Sequence, residues 1–256
     1  MKKIILILLC STYSHIIGGQ NSNVVAYWNL IHRAEYLITE EHYAEALLFY
    51  DSAFLVFDTE IATNIYNASV CASYAHDFEK MLKYCNLMVG MGLELSSMNR
   101  WKVYEGFRNS HYWPQFIDGY EAHRKKYLES VDWTLRKKLE ELLFKDQELR
   151  LIRDDHQIPL ASKKAIRMRD DSILVDLIEI FDQYGFPSDR TTGIFIHEKN
   201  LGGIYSPFDV ILRHAYLNQN FTLTPTLKNG LYEGRIHPDR FFSWYHIELD
   251  YLKNKS

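Results

Sequence analysis

The chain has 256 residues, of which 47% are hydrophobic and 24% charged, and it contains only six prolines. This length allows one large globular domain or two modest ones, and the composition supports a sizeable core and argues against long disordered segments. The formal net charge of −4 gives no electrostatic support to nucleic-acid binding.

The first 19 residues have the pattern of an export signal. Two lysines precede an apolar run from Ile4 to Cys10, and the segment IIGGQ (16–20) offers small residues for cleavage after position 19. The run is far shorter than the roughly 20 apolar residues that a membrane-spanning helix needs, which disfavours a membrane anchor. We therefore expect residues 1–19 to be removed. The mature protein, without a transmembrane segment, would be periplasmic or secreted.

Attachment of a lipid at Cys10 is a further possibility. It is disfavoured because Leu9 stands where a small residue normally precedes a lipidated cysteine. Loss of the signal would leave 27 basic against 33 acidic residues and two cysteines, Cys71 and Cys85, in a compartment that permits disulfides. These cysteines either form a disulfide between two helices or act as small buried hydrophobic residues.

Residues 20–128 contain a repeated pattern of small and aromatic residues. In the segment EEHYAEALLFYDSAF (40–54) the spacing of these residues resembles that in the second helix of a tetratricopeptide repeat. A similar segment starts at Phe78, 35 positions after Tyr43, close to the roughly 34-residue period of the family. The matching positions are Tyr43, Ala46, Tyr50 and Ala53, then Phe78, Met81, Cys85 and Met88, with Ala34, Leu37 and Ala68 in the first helices. Because one hairpin cannot bury its apolar face, residues 99–128 are predicted to form a third.

The resemblance to helical repeats implies a protein or peptide partner, because such repeats usually present a concave surface to one. The alternative is that the hairpins only pack against the C-terminal half of the chain.

Residues 129–256 are predicted to form a second, helical domain. Asp132 is a natural N-cap for its first helix. After a polar stretch at 156–169, Asp170 or Asp171 is predicted to cap a second helix. Gly185 then takes the left-handed conformation after that helix, and Pro187 ends it.

One non-helical segment, TTGIFIHEKNLGGIY (191–205), interrupts this domain and is predicted to hold a short strand or an ordered loop. A helix restarts with Ser206 as N-cap and Pro207 at its first position. Two last helices are predicted over 225–233 and 238–253. The predicted fold class is therefore mainly α: tetratricopeptide-like hairpins, then a helical domain with one short non-helical or β island.

Five short segments in this order resemble an uncharacterised family of secreted bacterial proteins: YNASVC (66–71), DQELR (146–150), DLIEIFDQYGFP (176–187), ILRHA (211–215) and LYEGRIHPDRF (231–241). In that family a C-terminal helical domain of unknown function follows tetratricopeptide-like hairpins. The resemblance implies that its recurring positions matter here: Asp146, Gln147, Arg150, Gly185, Pro187, His214 and Ala215. This chain departs from the pattern in having Arg213 where glutamine is usual, and it lacks the Gln-x-Tyr-Gly ending. The family lends a fold and a location, but no activity.

Two charges lie on an otherwise apolar helix face. At about 100° per residue, Asp146 and Arg150 fall on the stripe formed by Leu135, Leu139, Leu142 and Leu143. His214 is also predicted to point inward from its own helix. We expect Asp146 and His214 to be catalytic if the three side chains converge, with Asp146 orienting His214 as general base and Gln147 and Arg150 binding an anionic ligand. The alternative is that the same side chains form a structural polar cluster that joins three helices.

The sequence therefore favours an exported, envelope-associated binding or scaffolding protein. A hydrolase-like or anion-binding enzyme using Asp146, Arg150 and His214 is the alternative, so enzyme status stays open. No cofactor is expected, because the chain has no metal-binding motif and no glycine-rich phosphate loop.

Overall fold

The computed structural model describes residues 22–59, 61–153, 161–196 and 203–255. Within the helices that flank residues 154–160 it describes the backbone of 149–153 and 161–163 but not their side chains. The proposed export signal, including Cys10, therefore lies outside the described residues. In the described ranges the chain forms thirteen helices and a two-stranded antiparallel sheet, which confirms a mainly α fold.

Four helices of similar length begin the described chain, and each packs against the next. They are α1 (Ser22–Thr39), α2 (Tyr43–Val56), α3 (Ala62–Tyr74) and α4 (Phe78–Val89). Small buried residues allow the close approach of these helices, and Ala34, Ala46, Ala53 and Ala68 are all fully buried. Asp77 caps α4 by accepting a hydrogen bond from the Lys80 amide. The paired arrangement agrees with the predicted hairpins, whereas their assignment as tetratricopeptide repeats stays a prediction.

The third predicted hairpin is irregular in its first arm. That arm consists of α5 (Leu95–Arg100), a 3₁₀ turn (Lys102–Tyr104) and α6 (Glu105–Arg108), and only the second arm, α7 (Tyr112–Ser130), is long. The Arg108 side chain donates hydrogen bonds to the carbonyls of Met98 and Trp101, which holds the broken arm together.

The remaining helices surround a second group of buried side chains. They are α8 (Trp133–Arg153), α9 (Ala161–Tyr184), α10 (Asp189–Thr192), α11 (Pro207–Leu217), α12 (Thr224–Tyr232) and α13 (Pro238–Lys253). Between α10 and α11, β1 (Phe195–Ile196) pairs with β2 (Ile204–Tyr205), with Phe195 opposite Tyr205 and Ile196 opposite Ile204. The predicted β island is thus confirmed. Asp132 caps α8 as predicted, by accepting a hydrogen bond from the Leu135 amide.

The start of α9 corrects one prediction. The helix begins at Ala161, so Asp170 and Asp171 lie in its middle and cap nothing. Asp170 is buried, on the same face as the core residues Ile173, Leu174 and Leu177. The prediction that Asp170 caps the helix is wrong, because Asp170 continues the apolar stripe of α9 as Asp146 does in α8.

Apart from Tyr127 and Val131, the buried hydrophobic residues of the described chain form two clusters. The members of one lie between Val24 and Phe116, with Ile194 in addition, and those of the other lie between Leu135 and Trp244. The chain that follows α10 therefore contributes Ile194 to the first cluster, where its amide donates a hydrogen bond to the Met91 carbonyl. A division into domains at residue 128 stays a prediction.

Further contacts between the halves fall on α1, α3 and the connection before α3. The carboxylate of Asp189 accepts a hydrogen bond from the Ala62 amide at the start of α3, and Arg190 binds Asp58 through two nitrogens. Residues near the start of α13 complete the interface: His237 contacts Glu35 in α1, and Arg240 donates to Thr63 in α3. The C-terminal half thus covers the side of the hairpins formed by their first helices.

Cys71 and Cys85 lie on neighbouring helices of the first core. Both are free thiols and fully buried, so the disulfide considered from the sequence is not present in the structure.

Candidate functional site

Three helices of the second core bring the candidate residues together. α8 and α9 run antiparallel, and two ion pairs between them show their alignment: Lys145 with Asp176 at 3.5 Å and Arg169 with Glu148 at 3.7 Å. α11 packs against both helices. Its apolar face, with Phe208, Ile211, Leu212 and Ala215, is buried against them, and His214 lies at the edge of that face.

Asp146 and His214 meet where α8 contacts α11. Oδ1 of Asp146 lies 2.8 Å from Nδ1 of His214, and Oδ2 accepts a hydrogen bond of 2.5 Å from Nε2 of Gln147. The Asp146 carboxylate is buried, with 1% of its side chain exposed. Because both oxygens of an ionised carboxylate act as acceptors, Nδ1 of His214 carries the proton of this bond. In the neutral ring Nε2 then keeps its lone pair.

Nε2 is the open end of this pair. In the part of the chain that the structure describes, no group hydrogen bonds to it, and 22% of the His214 side chain is exposed. One end of the imidazole is therefore held by a buried carboxylate while the other end can meet a molecule from solution. This arrangement suits a general base, because the carboxylate fixes the tautomer and orientation of the ring.

Three other described histidines that lie near carboxylates have a different environment. His42 lies 3.8 Å from Glu45, and both side chains are exposed. His237 uses both nitrogens, one with Glu35 and the other as acceptor from the Asp239 amide, so it is a structural link. His246 pairs with Asp250 one turn away on α13, and both side chains are exposed. Among these four pairs, only that of His214 joins a buried carboxylate to an unoccupied ring nitrogen.

A second polar pair lies one helical turn further along α11. Nδ2 of Asn218 donates a hydrogen bond of 2.8 Å to Oδ2 of Asp170 in α9. Neither residue was predicted to belong to a site, and the sequence suggested Asp170 only as a helix cap. A charge that continues an apolar stripe, as Asp170 does after Ile166 and before Ile173, is the signal that could have identified it.

The other predicted site residues lie in different places. Gln147 contacts the carboxylate of Asp146, as described above. Arg150 lies on α8, but its side chain is outside the described residues, so the predicted convergence holds for Asp146 and His214 alone. Gly185 has φ +66° after the end of α9, as predicted, and Pro187 is buried two residues later. Both have structural positions outside the pair.

Two further searches of the described residues bear on the site. No group of three or more His, Cys, Asp or Glu side chains among them could hold a metal ion. None of the helices that the structure describes is both long and apolar enough to cross a membrane.

No protein-family model, curated protein or solved structure matches the chain.

Proposed function

We propose that the protein is a hydrolase in which His214 activates a water molecule. One observation carries the proposal: the Asp146–His214 pair, in which a buried carboxylate holds Nδ1 and Nε2 has no partner among the described residues. Water is the proposed nucleophile because no hydroxyl or thiol of the described residues hydrogen bonds to His214. This develops the alternative function given by the sequence.

The proposed reaction is the hydrolysis of an ester. Nε2 of His214 removes a proton from water while the water oxygen attacks the carbonyl carbon. The imidazolium formed in this step is stabilised by the carboxylate of Asp146 through the Nδ1 proton. When the tetrahedral intermediate breaks down, the proton passes from Nε2 to the leaving alcohol, so that ester and water become acid and alcohol and the enzyme is regenerated. Gln147 holds Asp146 in place, and Arg150 is the residue to which we assign binding of an anionic group on the substrate.

The test compares hydrolysis of a panel of p-nitrophenyl carboxylate esters, with and without a second carboxylate, by the protein and its variants. We expect His214→Ala to lower the rate by about 10²- to 10⁴-fold, the usual contribution of a general base. His246→Ala is the matched control, because it removes a histidine from an exposed carboxylate pair. Equal rates for the protein, His214→Ala and His246→Ala across the panel would contradict the proposal.

A binding role for the hairpins is a second candidate, supported by the outer face of α2. Leu48 and Leu55 lie seven residues apart on that helix, with 58% and 88% of their surfaces exposed. Because the C-terminal half covers the opposite side of the hairpins, we propose that any partner contacts this outer face. Site-specific photo-crosslinking from position 55 in cells should give one recurrent adduct, and the same probe at exposed Glu79 should not. Identical adduct patterns from the two positions would argue against it.

A further inference from the structure

The Asn218–Asp170 pair is coupled to His214 through the backbone as well as through space. Asn218 is the C-cap residue of α11, and its amide donates a hydrogen bond of 3.0 Å to the His214 carbonyl. The same residue therefore closes the helix turn that carries His214 and binds the buried Asp170 with its side chain. A displacement of Asn218 would change the position of His214 directly.

The two pairs also attach α11 to two different helices. His214 and Asn218 are four residues apart, so they lie on one face of α11 with about 6 Å between them along the helix axis. His214 contacts α8 through Asp146, and Asn218 contacts α9 through Asp170. α11 is also held by Asp209, which lies 3.4 Å from Arg240 on α13. The two pairs add contacts to α8 and α9 near its C-terminal end.

Hydrogen bonds add to the apolar packing that fixes the rotation of α11. A functional group has to be held within about 0.5 Å of its productive position, which is usually achieved by hydrogen bonds from residues behind it. Asp170 is buried, with 8% of its surface exposed, so its bond to the half-buried Asn218 is partly shielded from competing water.

We propose that Asp170 and Asn218 are positioning residues that set the direction of Nε2 of His214. This inference rests on the proposed hydrolase function, in which Nε2 is the reacting atom. Asp170 and Asn218 touch neither the water nor the substrate, and they act through the orientation of α11.

The experiment follows the Nδ1 proton of His214 by NMR in the full-length protein labelled with ¹⁵N-histidine. The resonance is assigned by its absence in His214→Gln. In Asn218→Asp, two carboxylates face each other, so we expect this resonance to be lost through faster exchange with water. The double variant Asp170→Asn with Asn218→Asp restores an amide and a carboxylate in exchanged positions, and we expect it to recover the resonance. Asn254→Asp is the matched control, because Asn254 is an exposed C-cap residue of α13 whose amide likewise bonds four residues back.

The outcomes separate positioning from plain stability. Loss in Asn218→Asp together with recovery in the exchanged variant supports the proposal. An unchanged resonance in Asn218→Asp contradicts it, as does loss in both variants with an equal drop in melting temperature. If Asn218→Asp does not fold, Asn218→Ala, which adds no charge, decides in the same way by losing or keeping the resonance. The signal requires no substrate, so a hydrolase assay without turnover would leave this result standing. If Asn218→Asp loses turnover but keeps the resonance, the positioning role is contradicted and the hydrolase proposal is not.

Discussion

Gly193 occupies a backbone conformation that other residues rarely adopt, in a space without room for a side chain. Its φ and ψ are +72° and +162°, a region accessible almost only to glycine. A Cβ here would lie 2.7 Å from the Tyr127 ring and 2.8 Å from a guanidinium nitrogen of Arg136. That same nitrogen donates hydrogen bonds to the carbonyls of Thr192 and Ile194 on either side of the glycine. The close approach of Arg136 thus depends on the missing side chain.

We expect Gly193→Ala to lower the free energy of unfolding by about 3 kcal/mol, because a conformational cost adds to an overpacking cost. Gly185→Ala separates the two, since Gly185 has φ +66° but a Cβ there would meet only Arg235, at 3.8 Å. It should cost about 1–2 kcal/mol, the value for a left-handed residue. Gly203→Ala, with nothing within 4 Å of its Cβ, should be close to neutral. Urea denaturation of the three variants measures the loss in free energy of unfolding for each. Equal losses for Gly193→Ala and Gly185→Ala would contradict the overpacking cost at Gly193.

Individual residues also show how far the sequence could predict the site. Asp146 was identified because a charge interrupts a leucine stripe, and the structure places that charge in the core beside His214. The partner could be suggested only by resemblance, because 68 positions separate the two residues and periodicity carries no information about contacts between helices. Nothing in the sequence indicated that Asn218 belongs to the site, since an asparagine just after a helix is expected as a cap whatever its side chain contacts.

At the scale of the element, α11 carries a charge that is poorly solvated. Oδ1 of Asp209 is shielded from solvent and has no hydrogen-bond partner in the described structure, while Oδ2 lies 3.4 Å from Arg240 on α13. Burial raises the pKa of Asp209, and the positive charges of Arg240 and His237 offset this only in part. A raised pKa in the folded state means that folding favours the protonated carboxyl, so the ionised form destabilises the protein at neutral pH.

We therefore expect Asp209→Asn to be at least as stable as the unmodified protein at pH 7. The difference should shrink as the pH falls through the raised pKa towards about 3.9, the value of an unfolded aspartate, because the carboxyl then becomes neutral in both states. Urea denaturation at several pH values between 7 and 4 provides the measurement. Asp118→Asn, at an exposed carboxylate on α7, is the control and should show no such trend. A difference that grows on acidification would refute the assignment.

Helix boundaries followed from the sequence where capping chemistry marks them. Asp132 before α8, and the prolines in the first turns of α11 and α13, act locally, so the sequence around them is sufficient. The predicted start of α9 was wrong because Asp170 resembles an N-cap when only its neighbours in the sequence are considered. Its burial against α11 is a tertiary effect, and a short-range pattern does not contain it. The broken arm of the third hairpin has the same origin, since Arg108 binds carbonyls seven and ten residues earlier.

For the whole molecule, the contacts between the halves lead us to expect that the two cores unfold together. Ile194 from the C-terminal half packs in the first core, and Asp189 binds the amide of Ala62 at the start of α3. α3 also carries Cys71, one of two buried thiols in the first core. Burial raises the pKa of Cys71 to about 12 and raises that of Cys85 as well, so in the folded protein both thiols stay protonated and unreactive. Thiol labelling therefore reports opening of the first core.

If the halves form one cooperative unit, a change in the C-terminal half should expose cysteines in the N-terminal half. We expect Asp189→Ala to increase the rate of iodoacetamide labelling of both Cys71 and Cys85 in a protein with Cys10 replaced by serine, because loss of the contact with α3 lowers the free energy of opening. A loss of about 1.4 kcal/mol would raise the rate tenfold when opening is a rapid equilibrium. Asp182→Ala, at an exposed position on α9, is the control and should leave the rate unchanged. Labelling that speeds up at Cys71 alone would mean that α3 opens locally, and an unchanged rate at both cysteines would mean that the halves unfold independently.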